Sequence, residues 1–295
     1  MDKDTIKKAE ETMQDLGMEL IEKLDIHPFV QFVWKGEDKR LLWEGKAKTA
    51  RTLHDRAEYE MVKQGHRKCA TLHISPRNYD KMFEQIARDG LVWFPIQRTK
   101  NYSGFSHKHF PVEEIDLNAS VYGVLARSVE DAETFREASN YYNDKETVDH
   151  STIGELLGFP RCCMEFFNGV WVAGYYDPMW QAALSTPGAE RPSETHIRVT
   201  GSVHAHALLR YAGFRTTSHL PCSLACEESQ AVGETWLKVM HDIDPLGTDA
   251  LLDVLRLPVT WSCYRGIAII TTDAFMVSTN SMPTKNEYVI EFVAV

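Results

Sequence analysis

The spacing of apolar residues changes along the chain, and with it the type of element that the sequence predicts. Apolar side chains recur at a helical interval among charged residues over 3–24, which predicts an amphipathic helix. From Cys69 onward, short apolar runs alternate with helical patterns. These segments predict strands over 70–74, 91–96 and 121–126, and helices over 79–88 and 129–139. The first two strands and the helix between them fit a β-α-β unit.

The polar stretch over 141–149 predicts a boundary, which we place between residues 145 and 146. Beyond it, Thr152 and Glu155 have the spacing of a helix capping box, and Gly158 is suited to end that short helix. Pro160 fits the first turn of the next helix. The sequence therefore predicts a tight turn between two short helices.

The remainder of the chain predicts a long loop, then helices and a terminal sheet. Gly, Pro, Ser and Thr are dense over 174–200, which is typical of a loop. Helical patterns follow over 203–211 and 223–241. The three terminal apolar segments predict an antiparallel β-meander: 266–272, 274–278 and 288–293. We therefore expect an α/β or α+β protein, with an N-terminal α/β region over 1–145 and a C-terminal helical, cysteine-rich domain over 146–295 that ends in the meander.

Composition limits the classes of function. The chain has 295 residues, of which 43% are hydrophobic, enough for a packed core. Its formal charge of -10 argues against general binding to nucleic acid or to anionic membranes, because both attract clustered Lys and Arg. No segment approaches the run of roughly 18 apolar residues that a membrane helix needs. We expect a cytoplasmic protein that acts on a small-molecule substrate.

Four of the six cysteines fall in two short segments, which makes them the best candidates for chemistry. One segment is Leu157-Gly158-Phe159-Pro160-Arg161-Cys162-Cys163, and the other is His219-Leu220-Pro221-Cys222-Ser223-Leu224-Ala225-Cys226. Each is predicted to lie at a helix start, where the helix dipole favours a thiolate. In a reducing compartment, clustered cysteines are more often metal ligands or catalytic thiols than disulfides.

The spacing within the two segments suggests which cysteines share a site. On a helix, Cys222 and Cys226 project from one face, and His219 precedes them in a loop that can turn towards the same point. Cys162 and Cys163 diverge by about 100° on a helix, so we expect one of them to face the site and the other to pack. Periodicity does not choose between these two.

Three or four thiolates with a nearby His fit either an iron–sulfur cluster or tetrahedral zinc. We favour the cluster, because adjacent cysteines make poor zinc knuckles, and we expect an enzyme of redox or sulfur-transfer chemistry with His219 as ligand or proton shuttle. One alternative is a metal-free enzyme in which His219 activates Cys222 as a nucleophile. Another is a zinc-stabilised module for protein interaction or RNA modification. Cys69 and Cys263 are expected to be core residues.

Other polar residues are weaker candidates. His150, His204 and His206 are each explained as well by ordinary structural roles as by metal ligation. Lys108 with His107 and His109, beside Lys100 and Arg98, fits a small anion-binding loop, for which a solvated loop is the simpler interpretation.

The two cysteine segments together resemble an uncharacterised archaeal and bacterial family of domains of unknown function. Its members pair a Leu-Gly-aromatic-Pro-x-Cys-Cys element with a downstream His-x-Pro-Cys-x-x-x-Cys element, which match Leu157 to Cys163 and His219 to Cys226. The resemblance covers roughly residues 120–295. It implies that the two segments belong to one site, and it carries no reaction.

Overall fold

A computed structural model of the chain describes residues 30–101, 109–111, 119–139, 148–173, 178–264, 267–280 and 287–295. Within these ranges the protein is of mixed α/β class, as the sequence predicts, with a seven-stranded sheet and a four-stranded sheet. The helix predicted over 3–24 and the candidates His107 and Lys108 lie outside the described residues. None of the helices in the described ranges combines the length and apolar character that crossing a bilayer requires.

The first part of the chain contributes one strand and one long helix, followed by the smaller sheet. Its elements are β1 (Val30–Trp34), α1 (Glu37–Lys63), β2 (Cys69–Ile74), α2 (Tyr79–Arg88), β3 (Val92–Asn101), β4 (His109–Pro111), β5 (Ser120–Ala126) and α3 (Val129–Ser139). The predicted strands and helices between residues 70 and 139 are thus confirmed. The strand order is β2-β5-β3-β4, with every pair antiparallel. In consequence β2 and β3 run parallel, as in a β-α-β unit, with β5 between them.

The second part of the chain supplies the helices of the cysteine segments and most of the larger sheet. Its elements are α4 (His150–Leu156), α5 (Arg161–Phe167), α6 (Pro178–Leu184), β6 (Glu190–Ser193), β7 (His196–Gly201), α7 (Glu227–Ile243), α8 (Pro245–Leu255), β8 (Val259–Tyr264), β9 (Ile267–Thr271), β10 (Phe275–Asn280) and β11 (Tyr288–Ala294). The strand order is β1-β10-β9-β8-β11-β7-β6, and only the β11–β7 pair is parallel.

Two predictions for this part were wrong, and a third is confirmed only in part. The loop predicted over 174–200 contains α6, β6 and β7, and the helix predicted over 203–211 is two short 3₁₀ turns. Edge strands and tight turns use the same Gly, Pro, Ser and Thr residues as loops, so composition did not separate them. The antiparallel pairing of the first two terminal segments is confirmed, because β9 pairs with β10. The third segment forms β11, which pairs with β8 and β7 and not with β10, so the three segments are strands of one sheet but not a continuous meander.

Helix α1 joins the cores of the two sheets. Leu53 and Ala57, near its middle, pack in the large core beneath the seven-stranded sheet. Tyr59 and Val62, near its end, pack on one face of the smaller sheet. The opposite face of that sheet is covered by α3 and α4. The predicted boundary after residue 145 stays a prediction. Helix α1 precedes that boundary and packs in the cores of both sheets.

Candidate metal centre

The helix-turn-helix formed by α4 and α5 positions Cys162 and Cys163. Asp149 caps α4, since its carboxylate accepts hydrogen bonds from the Ser151 and Thr152 amides at 3.1 and 3.0 Å. The cap is therefore Asp149 and not Thr152. Gly158 ends α4 with a φ of +69°, a conformation that side-chain-bearing residues avoid. Pro160 immediately precedes α5, so the two cysteines lie in the first turn of that helix.

A loop and a helix start position Cys222 and Cys226. Helix α7 begins at Glu227, with Cys226 as its N-cap, so Cys222 lies in the preceding turn and not on the helix. The prediction that both cysteines share a helix face was thus wrong. The Cys226 amide donates to the Ser223 carbonyl at 3.2 Å, which closes the turn between them.

Leu224 anchors this loop to the rest of the protein. Its amide donates to Thr186 Oγ1 at 3.0 Å, and its carbonyl accepts from the Ser202 amide at 3.2 Å. Gly201 lies directly beneath that carbonyl, and a Cβ at this position would clash with the Leu224 backbone. The end of β7 therefore holds the loop at close range, and Gly201 is required for the approach.

The fold brings the two cysteine segments to one point, as the sequence predicted, and all four of their sulfurs meet there. The Sγ atoms of Cys162, Cys163, Cys222 and Cys226 all lie within 4.8 Å of one another. The Cys162–Cys163 distance is 3.8 Å, and both sulfurs are 3.7 Å from that of Cys226. The expectation that only one of the adjacent pair faces the site was wrong, because rotation about the side-chain bonds brings both sulfurs together despite their divergent Cα–Cβ directions.

Hydrogen-bond donors point at two of these sulfurs. The Cys222 amide donates to Cys163 Sγ, and the Ser229 amide donates to Cys226 Sγ, each at 3.4 Å. Ser229 Oγ lies 3.2 Å from Cys163 Sγ. Donors of this kind stabilise a thiolate over a thiol. Ser229 is fully buried and was not predicted, although its place three residues after an N-cap is where an amide meets the capping side chain.

The four thiols affect one another's ionisation. Hydrogen bonds from Cys163 and Ser229 lower the pKa of Cys226 to about 4. The same contact with Cys226, together with burial, raises the pKa of Cys163. Burial and then Cys226 raise the pKa of Cys222 to about 12. In the absence of a cation, therefore, one thiolate forms and suppresses ionisation of its neighbours, since adjacent like charges repel.

His219 lies behind the sulfurs and is not one of the four-residue group. Its Nε2 shares a hydrogen bond of 2.7 Å with Ser229 Oγ, which in turn contacts Cys163. Burial, with the charges of Arg210 and Arg67, lowers the pKa of His219 to about 3. Of its two predicted roles, this position fits a residue acting through Ser229 better than a direct ligand. The nucleophile alternative needs a hydrogen bond between His219 and Cys222. In the described residues Nε2 of His219 meets Ser229 and Nδ1 has no hydrogen-bond partner.

The remaining sequence candidates lie away from this group. Cys69 lies in β2 and Cys263 in β8, and both are buried in the apolar cores. His150 packs edge-on against the Phe167 ring at 5.2 Å, and His206 lies against Phe292 at 4.2 Å. Comparison with protein-family models, with curated proteins and with solved structures gave no match. The resemblance to the uncharacterised archaeal and bacterial family stays a prediction.

Proposed function

We propose that Cys162, Cys163, Cys222 and Cys226 bind a single metal ion, and that this ion is zinc. The observation that carries the proposal is the separation of the sulfurs. A tetrahedron of Zn–S bonds of about 2.3 Å has edges of about 3.8 Å. The sulfurs of Cys162, Cys163 and Cys226 are 3.7 to 3.8 Å apart, and that of Cys222 is within 4.8 Å of each. A cluster distributes its cysteine ligands over several iron atoms and needs a wider arrangement.

Four thiolates support a closed coordination sphere, which is typical of structural zinc, whereas catalytic zinc keeps one position for water or substrate. The ligands come from the start of α5 and from the loop before α7, which are 59 residues apart between Cys163 and Cys222. An ion held by both segments would join them. We therefore favour the zinc-stabilised module over the iron–sulfur enzyme that the adjacent cysteines alone suggested.

The amide donors strengthen the case for bound thiolates. Two backbone N–H groups and the Ser229 hydroxyl surround Cys163 and Cys226. Such outer contacts orient metal ligands and offset their charge. A metal ion would displace the remaining thiol protons outright, which relieves the mutual suppression of ionisation described above.

The test is metal analysis and absorbance of the protein purified without oxygen. We expect one zinc per chain and a colourless solution. Exchange of zinc for cobalt should give the visible absorbance of a tetrahedral tetrathiolate ion. Iron with inorganic sulfide and broad visible absorbance would instead support the cluster. A Cys69→Ala, Cys263→Ala double variant serves as the control and should retain full metal content.

A further inference from the structure

A second group of polar residues, of which two are buried and two half-buried, lies close to the first cysteine segment. We define the arginine cluster as Arg67, Arg210 and Arg215, with His54 on α1. It lies between α1, the turn that follows α1 and the 210–219 segment, which ends at His219. The cluster is independent of the metal ion, because none of its members is a sulfur ligand.

Arg67 connects the cluster to the first cysteine segment. Its Nε donates to the Leu157 carbonyl at 2.8 Å, and its guanidinium lies 6.0 Å from the centre of the Phe159 ring. Leu157 and Phe159 belong to the same short segment as Cys162 and Cys163. Thus one end of this segment carries sulfur ligands and the other end holds a buried guanidinium.

Arg67 is buried with part of its hydrogen-bonding capacity unused. Its side chain is 2% exposed, and Nη1 forms an ion pair with Glu58 at 3.1 Å. Nη2 has no hydrogen-bond partner among the described residues. A guanidinium keeps its charge in proteins, so a buried N–H of this group requires an acceptor.

His54 supplies a second unused donor. Its ring stacks on Trp236 at 4.4 Å, and the Arg67 guanidinium lies 5.3 Å from the same Trp236 ring. Neither ring nitrogen of His54 has a hydrogen-bond partner in the described part of the chain. A neutral imidazole has one N–H and one acceptor nitrogen, so a buried N–H is unsatisfied in either tautomer.

Three guanidinium groups and the carboxylate of Glu58 lie close to His54. Arg215 Nη2 is 3.8 Å from the Asp55 carboxylate, whose side chain is 72% exposed, and Arg210 Nη2 donates to the Ser218 carbonyl at 3.5 Å. Glu58 is already bonded to Arg67. Although His54, Asp55 and Glu58 place three ligand atoms within 4.8 Å, the three guanidinium groups disfavour a metal cation there.

We propose that the arginine cluster binds the oxyanion of a small molecule, a phosphate or a carboxylate group. Guanidinium groups match the geometry of both anions and bind them with charge-assisted hydrogen bonds. An anion would accept from Arg67 Nη2 and the His54 N–H, close to the guanidinium groups of Arg210 and Arg215. The His219–Ser229 hydrogen bond lies between this site and Cys163.

Isothermal titration of the purified full chain with inorganic phosphate, and separately with acetate, tests the proposal. We expect saturable binding of at least one anion. Preference for phosphate would indicate a phosphorylated ligand, and preference for acetate would indicate a carboxylic acid. Arg67→Gln should weaken binding by about tenfold or more, the contribution of one charged hydrogen bond.

Two further variants keep the test decisive if Arg67→Gln fails to fold. Glu58→Gln removes the carboxylate that competes for Arg67, so it should tighten anion binding several-fold, an outcome that a purely structural role does not give. Arg210→Gln should weaken binding. Arg161→Gln is the matched control, because Arg161 is in the same segment with its side chain 88% exposed, and it should bind like the wild type.

Absence of anion binding to the wild-type chain would overturn the proposal. So would anion affinity that is unchanged in Glu58→Gln and Arg210→Gln. Metal content is measured on every variant. A wild-type chain that contains zinc but binds no anion would refute only the anion site. A wild-type chain that binds an anion but contains no zinc would refute only the metal centre.

Discussion

The protein buries cysteines in two kinds of surroundings. In β2, Cys69 is fully buried, and its sulfur lies 3.6 Å from the Asp131 carbonyl among apolar residues of the small core. At the start of α5, Cys163 is also buried, but two other sulfurs lie within 3.8 Å of it. The two cysteines have nearly the same exposure and quite different neighbours.

The difference shows that the groups in contact with a buried thiol, and not its burial alone, determine whether the thiol ionises. Burial raises the pKa of Cys69 to about 12, which keeps it a neutral apolar group. At the centre, Cys163 and Ser229 supply donors that lower the pKa of Cys226 despite its burial. Of the two environments, only that of Cys226 favours the thiolate, which is the form that binds a metal ion.

Removing a sulfur from each region should have the largest effect at the centre. Cys226→Ala deletes a proposed zinc ligand, which would join the 219–226 loop to α5. We therefore expect loss of zinc and a free energy of unfolding lower by about 3 kcal/mol or more. Cys69→Ala should cost about 1 kcal/mol, the packing of one small group. Metal analysis and urea denaturation of both variants measure the difference.

The difference between the two kinds of cysteine would be contradicted if Cys226→Ala and Cys69→Ala lower the free energy of unfolding by similar amounts and both retain zinc. In that case the four sulfurs would be ordinary core groups that happen to be neighbours. A catalytic nucleophile gives a third pattern, in which Cys222→Ala abolishes activity while metal content and stability stay unchanged.

Much of the fold between residues 69 and 139 could be predicted, because apolar runs there have the period of the element they form. Helix α1 was missed since three of its eight buried residues are alanine and one is His54, which lowers the apolar contrast of its buried face. The pairing of β1 with β10 depends on contacts between distant parts of the chain, which local patterns do not carry.

For the site, sequence spacing identified the four cysteines but not their geometry. The direction of adjacent side chains depends on rotamers and on the turn before α7, neither of which is encoded in residue spacing. The expectation that the side chains of Cys162 and Cys163 diverge favoured an iron–sulfur cluster over a single metal ion. Arg67 gave no signal, because a buried arginine is recognised only from the partners that folding brings to it.

A second prediction concerns the backbone that holds the cysteine loop. Gly201→Ala introduces a methyl group against the Leu224 carbonyl, so the loop carrying Cys222 and Cys226 must shift. We expect a loss of about 1 to 3 kcal/mol, as for other overpacked sites, together with weaker zinc retention. Thermal unfolding and a chelator competition assay measure the two effects.

Gly169→Ala is the control for this change. Gly169 follows α5, and a Cβ there would meet nothing within 4 Å. It should leave both stability and zinc retention near wild-type values. Equal behaviour of the two glycine variants would show that the close contact at Gly201 does not hold the loop.

A third and smaller effect is expected at Ser229, which touches a ligand without being one. Ser229→Ala removes the hydroxyl between Cys163 and His219, and loss of such an outer contact typically weakens metal affinity by about tenfold. His219→Ala should act in the same direction. Ser139→Ala deletes an equally buried hydroxyl, bonded to the Phe135 carbonyl, and should leave zinc affinity unchanged. Competition with a chromophoric chelator measures the affinities, and equal values for all three variants would remove Ser229 and His219 from the centre.

The smallest expected effect extends the comparison from cysteines to histidines. His206 is buried against Phe292, outside the centre, and burial lowers its pKa from about 6.5 to about 3. Between these values the unfolded chain binds a proton that the folded chain does not, so stability falls as the pH drops below about 6.5. At pH 6 this one residue should cost about 0.8 kcal/mol relative to pH 7.5.

His206→Asn tests the contribution of His206 to the pH dependence of stability separately from the metal centre. The asparagine oxygen can still accept the Leu208 amide, which now donates to His206 Nδ1 at 3.3 Å, and it does not titrate. The variant should therefore lose less stability than the wild type between pH 7.5 and pH 6, with unchanged zinc content at neutral pH. If His206→Asn instead loses as much stability as the wild type over this range, burial does not lower the pKa of His206 in the folded protein.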